Sequence, residues 1–136
     1  MKYLLDTDIC IYLIKVNPPQ VLQRFRQHAV GDIGVSALTA SELAFGVAKS
    51  GSERNRAALQ KFLAPLEIVA YDEACAWHYA SLRAHLARQG TPIGAIDQLI
   101  AAQALALDVP LVTSNVREFA RVPGLRVENW AENAPA

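Results

Sequence analysis

The sequence predicts an α/β fold, a central and mainly parallel sheet with helices on both faces, and three observations carry that expectation. Short apolar runs alternate with helical patterns along the chain. The runs are continuously apolar, as in strands buried on both sides, instead of alternating apolar with polar. The 136 residues are 52% hydrophobic and 19% charged, enough to build one core without disulfides or a structural metal.

The first strand is Tyr3 to Leu5, followed by a helix over Asp8 to Ile14 and another over Pro18 to His28. Ile33 to Val35 reads as the second strand, followed by helical patterns from Thr39 to Lys49 and from Ser52 to Phe62. In the latter, Ser52, Asn55 and Arg56 face away from Leu59, Phe62 and Leu63, and Pro65 ends the helix. A third strand spans Ile68 to Tyr71. Asp72-Glu73 then opens a long helix through Trp77, Leu82 and Leu86 that stops near Gly90, and another helix runs from about Ile96 to Leu107 before Pro110. Leu111 to Thr113 and Leu125 to Val127 complete the strands. No repeat stands out, so a single domain over 1–131 with a frayed tail at 132–136 is expected.

Composition narrows the function classes. Thirteen basic residues balance thirteen acidic ones, so no excess of positive charge coats a nucleic acid and any such contact is local. Apolar stretches stop well short of the ~18 residues of a membrane span, and Asp6 and Asp8 fall where a signal peptide needs an apolar run. Cys10, inside the run Ile9 to Ile14, reads as a buried reduced thiol, and with Cys75 as the only other cysteine the cytoplasm is the expected compartment.

Four acidic positions lie where a parallel sheet places its ligand crevice or on the helices flanking it. Each also has a structural explanation. Asp6 follows the first strand and could cap the next helix; Thr39-x-x-Glu42 matches a capping box. Asp97 interrupts the apolar, small-residue stretch Ile93 to Ala102. It would either cap a helix starting at Gln98 or lie inside one that starts at Thr91-Pro92. Asn115-x-x-Glu118, after the fourth strand, resembles another cap pair. Carboxylates gathered in one crevice repel one another unless a cation neutralises them or some are protonated. Oxygen donors select a hard ion, Mg²⁺ with Mn²⁺ as substitute. Zinc lacks its usual ligands, since His78 and His85 are seven apart on a helix, a rise of ~10 Å.

The residues resemble a known family, the PIN-domain ribonucleases, and within them the VapC toxins of bacterial VapBC toxin-antitoxin pairs. The resemblance rests on Leu4-Leu5-Asp6-Thr7-Asp8-Ile9-Cys10-Ile11-Tyr12, Ser36 through Glu42-Leu43, Pro92 through Ala102, Leu111 through Phe119, Arg121 through Leu125, and Glu128-Asn129-Trp130. It implies a PIN-like fold and a metal-dependent endoribonuclease in which Asp6, Glu42 and Asp97 hold one or two Mg²⁺ ions. Many relatives carry a fourth acid where Asn115 stands. Either Glu118 supplies that charge or three carboxylates suffice. Water activated by the metal would attack the phosphodiester, leaving a 5′-phosphate and a 3′-OH, with Thr113, Asn115 and Asp8 positioning water or phosphate. Arg117 and Arg121 are candidates for RNA contact near the crevice, and Arg24, Arg26, Lys49, Arg54 and Arg56 are weaker ones. The resemblance further implies a VapB antitoxin partner, a homodimer within the complex, and tRNA as substrate, with initiator tRNA cut in its anticodon stem-loop leading.

Two other classes fit poorly. A phosphate-accepting receiver domain needs a lysine late in the chain, whereas the lysines are Lys2, Lys15, Lys49 and Lys61. A dinucleotide-binding domain needs a glycine fingerprint that the seven glycines do not form. A PIN module that binds RNA or a partner without cutting is the remaining alternative, and the neutral Asn115 favours it.

Overall fold

Leu4 and Leu5 are both fully buried although they point to opposite faces of one strand, which requires a sheet covered on both sides. The computed structural model describes residues 1–29 and 31–132, and within them the strands form a five-stranded sheet in the order β3-β2-β1-β4-β5. These are β1 (Tyr3–Leu5), β2 (Ile33–Ser36), β3 (Glu67–Val69), β4 (Leu111–Val112) and β5 (Val127–Glu128). All pairings are parallel. β1 sits in the middle, with Leu5 opposite Val35 on one side and Val112 on the other. From β1 the chain builds outward through β2 and β3, then returns to add β4 and β5. The order therefore reverses between β1 and β4, and the crevice at their carboxyl ends is where a ligand site belongs.

The helices divide between the two faces. On one face α1 (Thr7–Lys15), α2 (Pro19–Phe25), α3 (Ala37–Ser50) and α4 (Glu53–Leu63) pack their apolar sides. Ile9, Cys10, Leu13, Val21, Leu43 and Leu59 join Leu5, Val35 and Val112 there. On the other face are α5 (Glu73–Gln89), α6 (Ala95–Leu107) and the single turn α7 (Val116–Phe119). Leu82, Leu86, Ile100 and Phe119 join Leu4 and Leu111 in that core. Ala101, Ala102 and Ala104 are fully buried, and such small side chains let α6 approach the sheet and α5 closely. Both cysteines are buried and unbridged. No helix among the described residues is long and apolar enough to cross a membrane.

Element positions agree with the expectation to within a few residues, and the differences concern caps. Asp6 is the N-cap of α1, which starts at Thr7. Ser36, not Thr39, caps α3, its hydroxyl accepting from Leu38 N–H at 3.0 Å. The capping-box reading of Thr39 and Glu42 is thereby overturned: both lie inside the helix. Helix α6 starts at Ala95, one residue before the expected Ile96, and at neither of the two starts that Asp97 suggested, Gln98 or Thr91-Pro92. Gly94 is its N-cap, without a side-chain bond, and Asp97 falls in the first turn. The turn α7 was not expected as a separate element. Most of the proposed tail, residues 133–136, lies outside the described residues.

Candidate active site

Asp6 is the buried end of the site, 6% exposed at the carboxyl edge of the central strand. As N-cap it accepts from Thr7 N–H through Oδ1 at 2.8 Å, while Oδ2 accepts from the Thr113 hydroxyl at the end of β4, also at 2.8 Å. The cap and site readings thus hold together. Burial, then the nearby Asp8, pushes the Asp6 carboxyl up to about 6, against the opposing pull of these hydrogen bonds.

Glu42 arrives from α3. Its Oε1 accepts from the Thr7 hydroxyl at 2.7 Å, and Thr39 Oγ1 lies 3.4 Å from that same hydroxyl. Glu42 is exposed where Asp6 is buried, so the two acids occupy the outside and the floor of one crevice. Thr7 joins them through its backbone N–H and its side chain.

The other half of the site is assembled at the start of α6. Gly94 N–H donates to Glu118 Oε1 at 2.8 Å, and Asn115 Nδ2 donates to Glu118 Oε2. These donors, chiefly Gly94, hold the Glu118 carboxyl below its usual value. Asp97 behaves oppositely. Burial, then the charges of Asp6 and Glu118, pushes its carboxyl up to about 7. Thr113 Oγ1, which donates to Asp6, accepts from Asn115 N–H at 3.0 Å. A continuous hydrogen-bonded chain therefore runs from Glu42 through Thr7, Asp6, Thr113 and Asn115 to Glu118, and Asp97 stands beside it in the field of Asp6 and Glu118.

The remaining expected residues have distinct places. Asp8 spends Oδ1 on Ile9 N–H at 2.7 Å and Oδ2 on Ser114, through the backbone N–H at 3.0 Å and the hydroxyl. It ties the loop after β4 to the first turn of α1. Arg121 donates to Pro92 carbonyl oxygen at 3.2 Å and helps keep Glu118 ionised; Arg117 is exposed. Thr7, Gly94 and Ser114 were not foreseen. Thr7 and Ser114 adjoin residues that were, a signal of polar side chains next to acids at strand ends. Gly94 had none, since its role is a backbone N–H and the lack of a side chain: a Cβ there would meet Asp97 Oδ2 at 3.2 Å.

Among the described residues no three acidic, histidine or cysteine side chains converge as a ready-made metal cage. The carboxylates are strung along and beside the hydrogen-bonded chain, each within the field of the others. Their chemistry still fits a hard divalent ion. The donors are oxygens, and two carboxyls are pushed up in the direction that a bound cation reverses. Beside Glu42 and Thr7 a groove of about 440 Å³ continues along α1, α3 and α4, lined by apolar Ile11, Ile14, Leu43 and Leu59 with Lys15 on its wall.

Known proteins resemble this chain over nearly its full length. Residues 3–125 match the family model of the PIN domain. A protein of Shigella flexneri named tRNA(fMet)-specific endonuclease VapC is 44% identical over 132 residues, covering 96% of this chain and 99% of its own. Ribonuclease VapC2 of Haemophilus influenzae is 46% identical over 131 residues, covering 96% and 98%. The solved DNA-bound VapBC of Salmonella typhimurium contains a chain that superposes with a TM-score of 0.90 at 42% identity, covering 96% of this chain and 98% of that one. The chain belongs to the PIN domain family and, within it, to the VapC ribonucleases.

Proposed function

We propose that this protein is the toxin of a VapBC pair, an endoribonuclease that uses Mg²⁺, or Mn²⁺ in its place, to cut tRNA and so stop translation. The observation that carries the proposal is the hydrogen-bonded chain that joins Asp6, Glu42 and Glu118 at the switch point of a parallel sheet, with Asp97 close enough for their charges to raise its carboxyl. Initiator tRNA, cut in the anticodon stem-loop, is the leading substrate. The name of the Shigella flexneri relative supports it, and a shallow crevice suits an unstacked loop better than a duplex. Such a substrate places the protein in the cytoplasm.

Asp6, Asp97 and Glu42 would hold the ion, and Glu118 would supply the charge that Asn115 lacks. A bound divalent ion supplies Lewis-acid polarisation of a phosphodiester oxygen and lowers the pKa of a water. The protein's own groups provide placement. Thr113 and Thr7 fix the two oxygens of Asp6, so its carboxylate does not rotate. Asn115 holds Glu118, and Asp8 holds the Ser114 loop that carries both Thr113 and Asn115, positioning the substrate side of the crevice indirectly. Arg117, exposed on α7, is placed to meet an RNA phosphate, whereas Arg121 buttresses Glu118 and Pro92.

The partner is a VapB antitoxin, in keeping with the solved VapBC assemblies of similar chains. The apolar groove next to Glu42 is the docking site proposed for it, and a toxin homodimer is the expected unit of the complex. A non-cutting PIN module is the second reading. The neutral Asn115 and the lack of a preformed three-acid cage among the described residues favour it.

Incubation of purified protein with total tRNA in Mg²⁺, in Mn²⁺ and in EDTA, with sequencing of new 5′-phosphate ends, tests the proposal. Discrete ends that require the cation and vanish in Asp6→Asn are expected. Intact tRNA in every arm, with RNA still bound, would replace the nuclease with the non-cutting module.

A further inference from the structure

We infer that Thr7 is a positioning residue that fixes the spacing of Asp6 and Glu42 for cation binding. The inference rests on the metal-dependent reading above, in which Thr7 fixes only Asp6, and extends its role to Glu42. Thr7 is the only residue of the chain of contacts that holds two acids from different elements at once. Its N–H donates to Asp6 Oδ1 at 2.8 Å, and its hydroxyl donates to Glu42 Oε1 at 2.7 Å. Glu42 is an exposed, long side chain on α3, and holding such a chain in one rotamer costs conformational entropy.

Thr7 is suited to offset that cost. Its β-branched side chain is stiff at χ1, and its position in the first turn of α1 is set by the cap that Asp6 forms. Thr39, fully buried in α3, stands 3.4 Å from the same hydroxyl and leaves it little freedom to turn away. The hydroxyl therefore presents its proton to Glu42 before any ion arrives. Outer contacts of this kind orient ligand carboxylates, and losing one typically weakens metal affinity ~10–100-fold.

The test is a double-mutant cycle read by calorimetric titration of Mn²⁺ into purified protein. Thr7→Val keeps the shape and the N–H to Asp6 but removes the hydroxyl. It should weaken Mn²⁺ binding about tenfold with a melting temperature close to wild type, and Thr7→Ser should recover most of the affinity. In an Glu42→Gln background the same Thr7→Val change should cost less than about twofold, since the partner it positions is already gone. Wild-type affinity in Thr7→Val, or an equal loss with and without Glu42, overturns the inference while leaving the metal site standing. Failure of wild type to bind Mn²⁺ at all overturns the metal reading and this inference with it.

Discussion

Gly94 and Glu118, 24 residues apart in the chain, are joined by one hydrogen bond of 2.8 Å from the N–H of the first to Oε1 of the second. That bond couples the start of α6 to α7 and sets Glu118 beside Asp97. It also explains the glycine, because a Cβ there would stand 3.2 Å from Asp97 Oδ2. The φ of −54° at Gly94 suits any residue, so alanine is opposed by the carboxylate and not by the backbone. Gly94→Ala should leave the melting temperature within a few degrees of wild type, yet displace Asp97 by a few tenths of an ångström. A roughly 3–10-fold loss of cleavage rate is expected from such a displacement. Unchanged cleavage at subsaturating Mg²⁺ would show that the position of Asp97 is not critical.

In the proposed site Glu118 and Asn115 would divide the task of a fourth acid. Glu118→Gln keeps an oxygen for Gly94 but removes the charge, so the cation concentration needed for half-maximal cleavage should rise about tenfold, in line with losses on altering ligand or outer contacts. Asn115→Asp should do the reverse at a cost in stability. It replaces the amide donor to Glu118 with a second negative charge, expected to cost ~1–3 kcal/mol without metal and to be largely recovered in Mg²⁺. Thermal melts of both variants with and without the ion check this, and a Glu118→Gln titration that overlays wild type would remove Glu118 from the site.

Much of the architecture was legible because each strand is a short apolar run and most helices carry their own stop or start signals. Ser52 and Asp72 cap α4 and α5 through side-chain oxygens, and Gly51 and Gly90 end α3 and α5 in the left-handed region. Where those signals failed, the physics lay outside the local sequence. Helix α6 starts after Gly94, which has no side chain to cap it, and the N–H of Gly94 is satisfied by Glu118 from α7, a partner that spacing cannot reveal. Glu42 imitates a capping box, yet Ser36 caps three residues earlier and Glu42 turns to Thr7 from another helix. Asp6 was expected at a strand end and Asp97 on a flanking helix, whereas the raised carboxyl of Asp97 depends on burial that only packing determines. Phe45 and Trp77, two of the larger apolar side chains, are about 70% exposed, contrary to the prior that places aromatics in the core.

Asp6 should make the metal-free protein less stable as pH rises. Its folded carboxyl titrates at about 6 against 3.8 in the unfolded chain. Below pH ~4 both states hold the proton, and between the two values only the folded state does. Its stabilising contribution is therefore complete in acid and lost as pH passes 6, a change of up to ~3 kcal/mol at ~1.4 kcal/mol per pH unit. Asp97, raised in the same direction but half-exposed, adds a smaller effect over the range up to pH 7. Asp6→Asn preserves an N-cap acceptor for Thr7 N–H. At pH 8 without metal the variant should melt no lower than wild type, and its stability should depend less on pH between 4 and 7. Cleavage should fall by at least ~10³-fold, as expected when a group acting in the transition state is removed. Urea melts across this pH range in EDTA check the sign, and an Asp6→Asn protein that is unfolded at pH 8 would make the cap the dominant role of Asp6.

Trp130 anchors the far edge of the sheet and should dominate stability there. It is fully buried although it lies just beyond β5. Its ring stacks on His28 at 5.3 Å between centroids and meets Tyr3 edge-on at 5.4 Å, with the Arg24 guanidinium 5.8 Å above it. The indole N–H donates to Glu128 Oε1 at 3.1 Å, and the same oxygen lies 3.4 Å from Arg24. The contacts bind the segment after β5 to α2 and β1, where Gln20 Nε2 also donates to Ala131 carbonyl oxygen at 2.7 Å. Trp130→Ala would leave a large cavity and remove one of the two partners of Glu128, a loss of ~3–5 kcal/mol. Trp130→Phe keeps the aromatic contacts and loses chiefly the hydrogen bond and some volume, so about 1–2 kcal/mol is expected. Arg24→Met separates packing from charge: the exposed ion pair contributes at most ~1 kcal/mol, so a much larger loss would assign the weight to Arg24 and not to the indole. Because Trp130→Phe leaves in place the main-chain bond from Thr113 N–H to Glu128 carbonyl oxygen at 2.9 Å, it should keep its cation requirement at wild-type level in the tRNA assay while its denaturation midpoint falls.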